Sequence, residues 1–274
     1  MALSNTSVRI IVSIIAIPVV VGLCILGGYP FWLFMMALAL MGYYEFVGMT
    51  KQKQVYTNKP AGFFAVLVIM TSVFFWSVDT LDIVVGLFVI IIFWELFRNK
   101  GSAINNIGAT LLGVLYTGLL PGTVVLIREL YRYNDMLYPT GGYLILSILV
   151  SIWACDSAAY FIGSAIGKHK LFPRVSPKKS WEGAIAGFAF SIIAMLAMKY
   201  FLLDYISMTD AVVIGLIVGI FGQTGDLIES LIKRDAGVKD SSKLIPGHGG
   251  VLDRFDSLLL TAPLVYMYLK HFSI

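Results

Sequence analysis

Runs of apolar residues close to the ~20 needed to cross a bilayer recur along the whole chain, at about 8–27, 30–48, 60–78, 80–97, 104–127, 141–166, 182–203, 209–232 and 254–272. Hydrocarbon offers no partner to a backbone N–H or C=O, so each run must satisfy its own polar groups and is expected to be a helix. Of the 274 residues, 58% are hydrophobic and only 13% charged, against about 25% charged in a soluble domain. The length is therefore used up by spans. The expected fold class is all-α: a polytopic integral membrane protein with about nine transmembrane helices.

Turn and cap signals separate the runs: Gly27, Gly28 and Pro30; Asn58 and Pro60; Asp79 and Asp82; 101–106; 139–142. Residues 1–140 would carry about five spans and 141–274 the remaining four, with two long polar connections at 167–181 and 235–253. The first run is longer than a secretory h-region and no A-x-A-like cleavage site follows it, so it is expected to be retained. Cys24 and Cys155 both fall inside runs, which argues against a disulfide framework.

Lys and Arg concentrate in cytoplasmic loops of membrane proteins. If the N-terminus and the even-numbered connections share one side, that side collects all 20 Lys and Arg except Arg128, Arg132, Lys199 and Lys270. The N-terminus, 167–181 and 235–253 are thus expected to be cytoplasmic. Gly215, Gly219, Gly222 and Gly225, and Gly183 with Gly187, follow a small-xxx-small pattern that brings helix backbones together. Such faces suit internal packing or a homodimer interface.

Against this apolar background, 222–256 holds a dense set of charges. A charge at membrane depth costs about 2.5 to 3.5 kcal/mol on insertion scales, so it normally faces a cavity, a partner or an ion. Helical continuation of the eighth run puts Asp226, Glu229 and Lys233 on one face, where Glu229 and Lys233 also have the spacing of an ordinary helix-end ion pair. Asp253 and Asp256 share a face at the start of the ninth run and could equally serve as helix caps. Carboxylates from different helices, such as Asp226 and Asp253, suit Mg²⁺, which takes one or two carboxylates and completes its shell with substrate phosphates. Between them, Lys239, Asp240, His248, Gly249 and Gly250 offer cations and open backbone amides to a polyphosphate, though without the order of a Walker motif.

The other connection ends in Lys178, Lys179 and Ser180. Ser180 reads as the N-cap of the seventh helix, and its free amides with two lysines make an anion site; lysines there would also attract lipid headgroups. Asp156 is an ionisable residue inside the sixth run, a functional candidate by default or a polar interhelical contact.

The ordered run Ser230, Lys233, Arg234, Lys239, Asp240, Ser242, Pro246, His248, Gly249, Gly250, Asp253, Arg254, Asp256 resembles the C-terminal signature of the phosphatidate cytidylyltransferases, or CDP-diacylglycerol synthases, with no departure at its fixed positions. Ser176 to Gly183 is similar to that family's upstream Ser-Pro-Lys-Lys motif. Size and span number match a bacterial, multi-pass cytoplasmic-membrane member whose active site faces the cytoplasm. The resemblance implies transfer of a cytidylyl group from CTP to phosphatidate, giving CDP-diacylglycerol and pyrophosphate, with Mg²⁺ or Mn²⁺ and room for a second cation. No nucleic acid is involved. Metal binding then falls to Asp226 and Asp253, with Asp156, Glu229 and Asp256 as further ligands or orienters. Phosphates fall to Lys178, Lys179, Ser180, Lys233, Arg234, Lys239, Arg254, His248, Gly249 and Gly250. A transporter or channel could also carry charges in its spans, but it would show matching interrupted helices in two halves, and these charges cluster at one face.

Overall fold

The computed structural model describes residues 5–75 and 79–273. Its elements are α1 (Asn5–Leu26), α2 (Gly28–Gln52), α3 (Lys59–Phe75), α4 (Thr80–Leu96), α5 (Ala103–Val114), α6 (Leu120–Arg128), α7 (Tyr138–Ile166), the strands β1 (Lys170–Phe172) and β2 (Ser176–Ser180), α8 (Trp181–Leu202), α9 (Met208–Ile217), α10 (Gln223–Asp235) and α11 (Leu252–Tyr268). Short π-helical turns at Leu115–Leu119 and Val218–Gly222 join α5 to α6 and α9 to α10, and a third, Leu269–Ser273, extends α11.

The architecture is all-α, as the apolar runs require. Among the described residues six helices are long and apolar enough to cross a bilayer: Val8–Leu26, Gly28–Gln52, Ala103–Arg128, Tyr138–Ile166, Trp181–Leu202 and Met208–Asp235. The windows at 60–78, 80–97 and 254–272 appear as α3, α4 and α11, helices of 17 residues each. At 17 residues α3 and α4 lie at the short end of the roughly 17–25 that span a bilayer, and α11 continues through its π turn to Ser273. Residues 76–78 of the third window lie outside the described residues.

Large apolar side chains point outward along the helices, including Ile10, Ile14 and Ile15 on α1, Leu81, Phe93 and Leu96 on α4, and Ile185 and Ile193 on α8. Only an apolar solvent tolerates that much exposed hydrocarbon, so the protein is a multi-pass membrane protein. Several hydroxyls within the spans return to their own helix: Ser147 donates to Tyr143 O, Ser151 to Ser147 O and Thr261 to Ser257 O, which satisfies those groups without water.

Two compact units emerge, and they do not follow a break at 140/141. One comprises residues 1–129 and 235–254, the other 130–234 and 255–274. The physical reason lies in the loop 235–254, which returns to the first unit because a buried carboxylate on α2, Glu45, holds it. Also in the first unit, Arg128 is fully buried and donates to the terminal carbonyls Cys24 O and Ile25 O of α1, while Glu129 accepts from Gly28 N at 2.8 Å. Cationic donors at a helix C-terminus satisfy its orphan carbonyls. Cys24 and Cys155 are buried and free, as expected.

The second unit is built on α7 and α8. Added Cβ atoms at Gly183 and Gly187 would lie 2.6 Å from Ala159 O and 2.8 Å from Cys155 O, so the glycines are the condition for backbone contact between the two helices. The connection 167–181 forms an antiparallel hairpin in which Lys170 faces Ser180 and Phe172 faces Ser176. Its sequence, broken by Pro173 and Pro177, gave no strand signal. Ser180 caps α8 as anticipated, its Oγ accepting from Gly183 N at 3.2 Å.

Candidate active site

Within the second unit four helices and the hairpin bring charge together. α10 contributes Asp226, Glu229, Lys233 and Arg234; α11 contributes Asp256; α7 contributes Asp156; and β2 contributes Lys178, Lys179 and Ser180 at the entry to α8. Lys179 Nζ sits 2.6 Å from Asp226 Oδ2, and Ser230 donates to Asp226 Oδ1 at 3.3 Å. Asp156 is exposed on α7 and lies within electrostatic range of Asp256, Asp226 and Lys179. Glu229 is fully buried and pairs with Lys233 at 3.3 Å, the i,i+4 contact anticipated from their spacing. Asp256 stands close to Glu229, with Asp226 and Lys233 as further charged neighbours. Lys178 and Arg234 are exposed.

Close helix packing makes this possible. An added Cβ at Gly225 would lie 2.5 Å from Asp256 O and 3.2 Å from Ser257 Cα, so α10 meets α11 backbone to backbone just where each presents its carboxylate. Gly222 faces Ser257, Thr261 and Ile152 at ordinary contact distances. The glycine pattern thus serves packing, and the packing sets the charges side by side. The π turn Val218–Gly222 directly precedes this face; such turns commonly accompany functional positions in helices.

Four carboxyl groups stand against two ammonium groups here, and like charges this close disfavour full ionisation unless a proton or a cation offsets them. Among the described residues no three carboxyl, imidazole or thiol groups converge on one point to form a preformed ion cage. A donor set of paired hard oxygens without a full cage is what Mg²⁺ uses when phosphates and water complete its shell. The residues therefore fit a phosphate-bridged divalent cation, and fit poorly a metal held by protein ligands alone.

In the first unit lie Asp253, Lys239, Asp240, His248, Gly249, Gly250 and Arg254. Lys239, Asp240 and Arg254 are exposed. Asp253 Oδ2 accepts from Ser241 N at 2.9 Å, Ser241 Oγ at 2.9 Å and Gly250 N at 2.8 Å, which ties the loop to the start of α11. His248 lies in a turn closed by the Ile245–Gly249 bridge, its ring 3.4 Å from Pro246 O and from Ser13 Oγ on α1. Nearby, Arg9 donates to Gly247 O at 2.7 Å.

The organising residue of this loop is Glu45, 2% exposed on α2. Its carboxylate accepts from Ser241 Oγ (2.9 Å), Ser242 Oγ (2.6 Å), Val251 N (2.8 Å) and Leu252 N (2.9 Å). An added Cβ at Gly250 would collide with Ser241 Oγ and Glu45, so glycine there admits the carboxylate. Sequence reasoning missed Glu45, although one signal was available: a single acid inside the second apolar run.

A family model for the cytidylyltransferase family matches residues 7–272. Among curated proteins, phosphatidate cytidylyltransferases from Synechocystis sp., Staphylococcus haemolyticus and Bacillus subtilis are 35%, 33% and 32% identical to the chain and cover 95%, 96% and 97% of it. In turn the alignments span 95%, 98% and 98% of those proteins. With the family model matching nearly the whole chain and likeness to these proteins running from end to end, the chain belongs to the cytidylyltransferase family and is a nucleotidyltransferase.

Proposed function

We propose that the protein is a phosphatidate cytidylyltransferase of a bacterial cytoplasmic membrane, converting CTP and phosphatidate to CDP-diacylglycerol and pyrophosphate in phospholipid synthesis. The observation that carries the reading is the second unit's cluster, in which Asp156 on α7, Asp226 and Glu229 on α10 and Asp256 on α11 gather near Lys179 and Lys233. A phosphate oxygen of the lipid forms a bond to the α-phosphorus of CTP as the bond from that phosphorus to the β-phosphate oxygen breaks. Pyrophosphate leaves. The attacking group is already an anion, so the protein supplies position and charge rather than a nucleophile.

Asp226 and Asp256, with Asp156 beside them, are the residues we assign to a Mg²⁺ or Mn²⁺ ion; bound there, the ion would neutralise the charge gathering on the phosphates. Lys179 is held by Asp226 and aimed across this site, ready to exchange its carboxylate for a phosphate oxygen. Glu229 fixes Lys233 through their ion pair. Lys178, Ser180 and Arg234 extend the anion-binding surface. In the first unit, Lys239, Arg254, His248 and the amides of Gly249 and Gly250 are assigned to phosphate recognition by the signature loop. Asp253 orders that loop and remains a candidate ligand for a second cation.

The positive charge of the loops supports a cytoplasmic position for them, on the side where CTP is found. The glycine faces are taken up by packing within the chain, so a homodimer would use another surface. Purified protein given radiolabelled CTP, with and without phosphatidate in detergent, tests the reaction directly. Label should pass into a chloroform-soluble product only with phosphatidate and a divalent cation; label left wholly in CTP would refute the assignment.

A further inference from the structure

A second cationic site lies wholly within the first unit and shares no residue with the groups assigned to chemistry. The ends of α2, α3 and α4 enclose a cleft of about 360 Å³ lined by Lys51, Lys59, Lys100, Arg98, Tyr56 and Trp94, among others. Lys51, Lys59 and Lys100 are exposed, and none of the three is ion-paired with a carboxylate among the described residues. Three positive charges therefore converge uncompensated on one small volume.

One wall of the cleft is rigidly built. Arg98 Nη1 is 2.6 Å from Glu95 Oε2 and its Nη2 donates to Tyr56 O at 3.0 Å. Glu95 is in turn fixed by Asn106 Nδ2 at 2.8 Å, and Asn106 Oδ1 accepts from Tyr56 N at 2.8 Å. Glu95 and Asn106 are 4% and 1% exposed. A buried, satisfied polar network of this kind holds its members in one geometry. The start of α3 adds a helix N-terminus: Asn58 lines the cleft, is 1% exposed, and keeps a buried amide nitrogen, Nδ2, without a hydrogen-bond partner. Helix N-termini favour anions.

From these features we propose that the cleft binds a phosphomonoester dianion, carried either by the headgroup of an acidic lipid or by a soluble phosphate ester. A phosphomonoester carries about −1.5 to −2 at neutral pH with three acceptor oxygens, which matches three unpaired lysines better than the single charge of a phosphodiester does. Trp94 and Tyr56 also line the cleft, and such aromatic side chains commonly anchor at the level of lipid headgroups. The inference stands apart from the assigned reaction, although the acceptor proposed above is itself a phosphomonoester lipid.

The test uses the full chain in neutral phosphatidylcholine nanodiscs doped with phosphatidate or with phosphatidylglycerol, and compares it with the Lys59→Gln/Lys100→Gln variant by native mass spectrometry. The wild type should prefer phosphatidate. The variant should retain one fewer phosphatidate per chain, with affinity at that site down roughly thirtyfold, as expected for two lysines at an anionic headgroup, and with kcat for CTP at saturating lipid unchanged. Displacement by millimolar glycerol 3-phosphate would assign the site to a soluble ester; retention against it would assign the site to the lipid. Equal binding of the two lipids by the wild type would overturn the inference in favour of general headgroup attraction. An unaltered phosphatidate count in the variant, or a loss of kcat with it, would overturn a separate site. Failure of the CTP assay would leave this binding result standing.

Discussion

Lys179 on the hairpin and Asp226 on α10 form an ion pair of 2.6 Å in which each side chain stays about one-third exposed or less. A part-exposed pair contributes only about 0.2–1 kcal/mol to stability, so its place beside three more carboxyl groups is consistent with the phosphate-binding role proposed for Lys179.

Replacing Lys179 with Gln should therefore separate stability from catalysis. We expect a shift in melting temperature of only a few degrees, the order that ~1 kcal/mol gives. Turnover should fall about 10²–10³-fold, the usual loss on removing one preorganised donor to a developing charge. Differential scanning fluorimetry and the CTP assay measure the two on the same preparation; parallel losses would point to a structural lysine.

The carboxylates can be ranked. Asp226→Asn and Asp256→Asn should each nearly abolish Mg²⁺-dependent turnover while the protein stays monodisperse, since removing a charge from a membrane helix does not itself hinder insertion. Asp253→Asn should act through the loop and loosen 241–250, read as faster proteolysis there with part of the turnover kept. EDTA should silence the wild type and Mg²⁺ restore it. If Asp253→Asn is as inactive as Asp226→Asn with an unaltered digestion pattern, Asp253 is a ligand and the ranking fails.

Glu45→Gln should be costly although it lies nearly 200 residues before the loop it holds. The amide can face only part of a set of four donors with an acceptor oxygen, and leaving buried N–H groups unsatisfied costs roughly 1–3 kcal/mol each. Gly250→Ala should mimic it by displacing the same carboxylate. Hydrogen exchange at Val251 and Leu252 is the measurement, and unchanged protection in both variants would show that the loop holds itself.

Helix contact at Gly225 makes a further prediction. Gly225→Ala places a methyl group 2.5 Å from Asp256 O and should separate α10 from α11, lowering turnover at least as much as it lowers stability. An equal substitution at Gly237, where a Cβ meets nothing within 4 Å, tests strain at its positive φ alone and should leave turnover intact.

How much of this was legible in the sequence follows from what each interaction requires. Hydropathy revealed the helices because lipid demands them, and Ser180 revealed its cap because capping is local. The Glu229–Lys233 pair was visible in a spacing of four. The hairpin at 170–180 was hidden, since its pairing is set by packing onto α7 and α8 rather than by strand propensity. Charge counting treated Arg128 as a loop cation, whereas it is buried against the end of α1. Glu45 and the returning loop were out of reach because they join distant stretches of chain.

That return has a consequence for dissecting the gene. A single cut near residue 140 looks like a natural division, yet it would hand the C-terminal fragment a signature loop stripped of its anchor and leave Glu45 buried with none of its four donors. Both pieces would carry an uncompensated defect. Split versions should succeed only when the break leaves α2 and the 235–254 segment on one polypeptide.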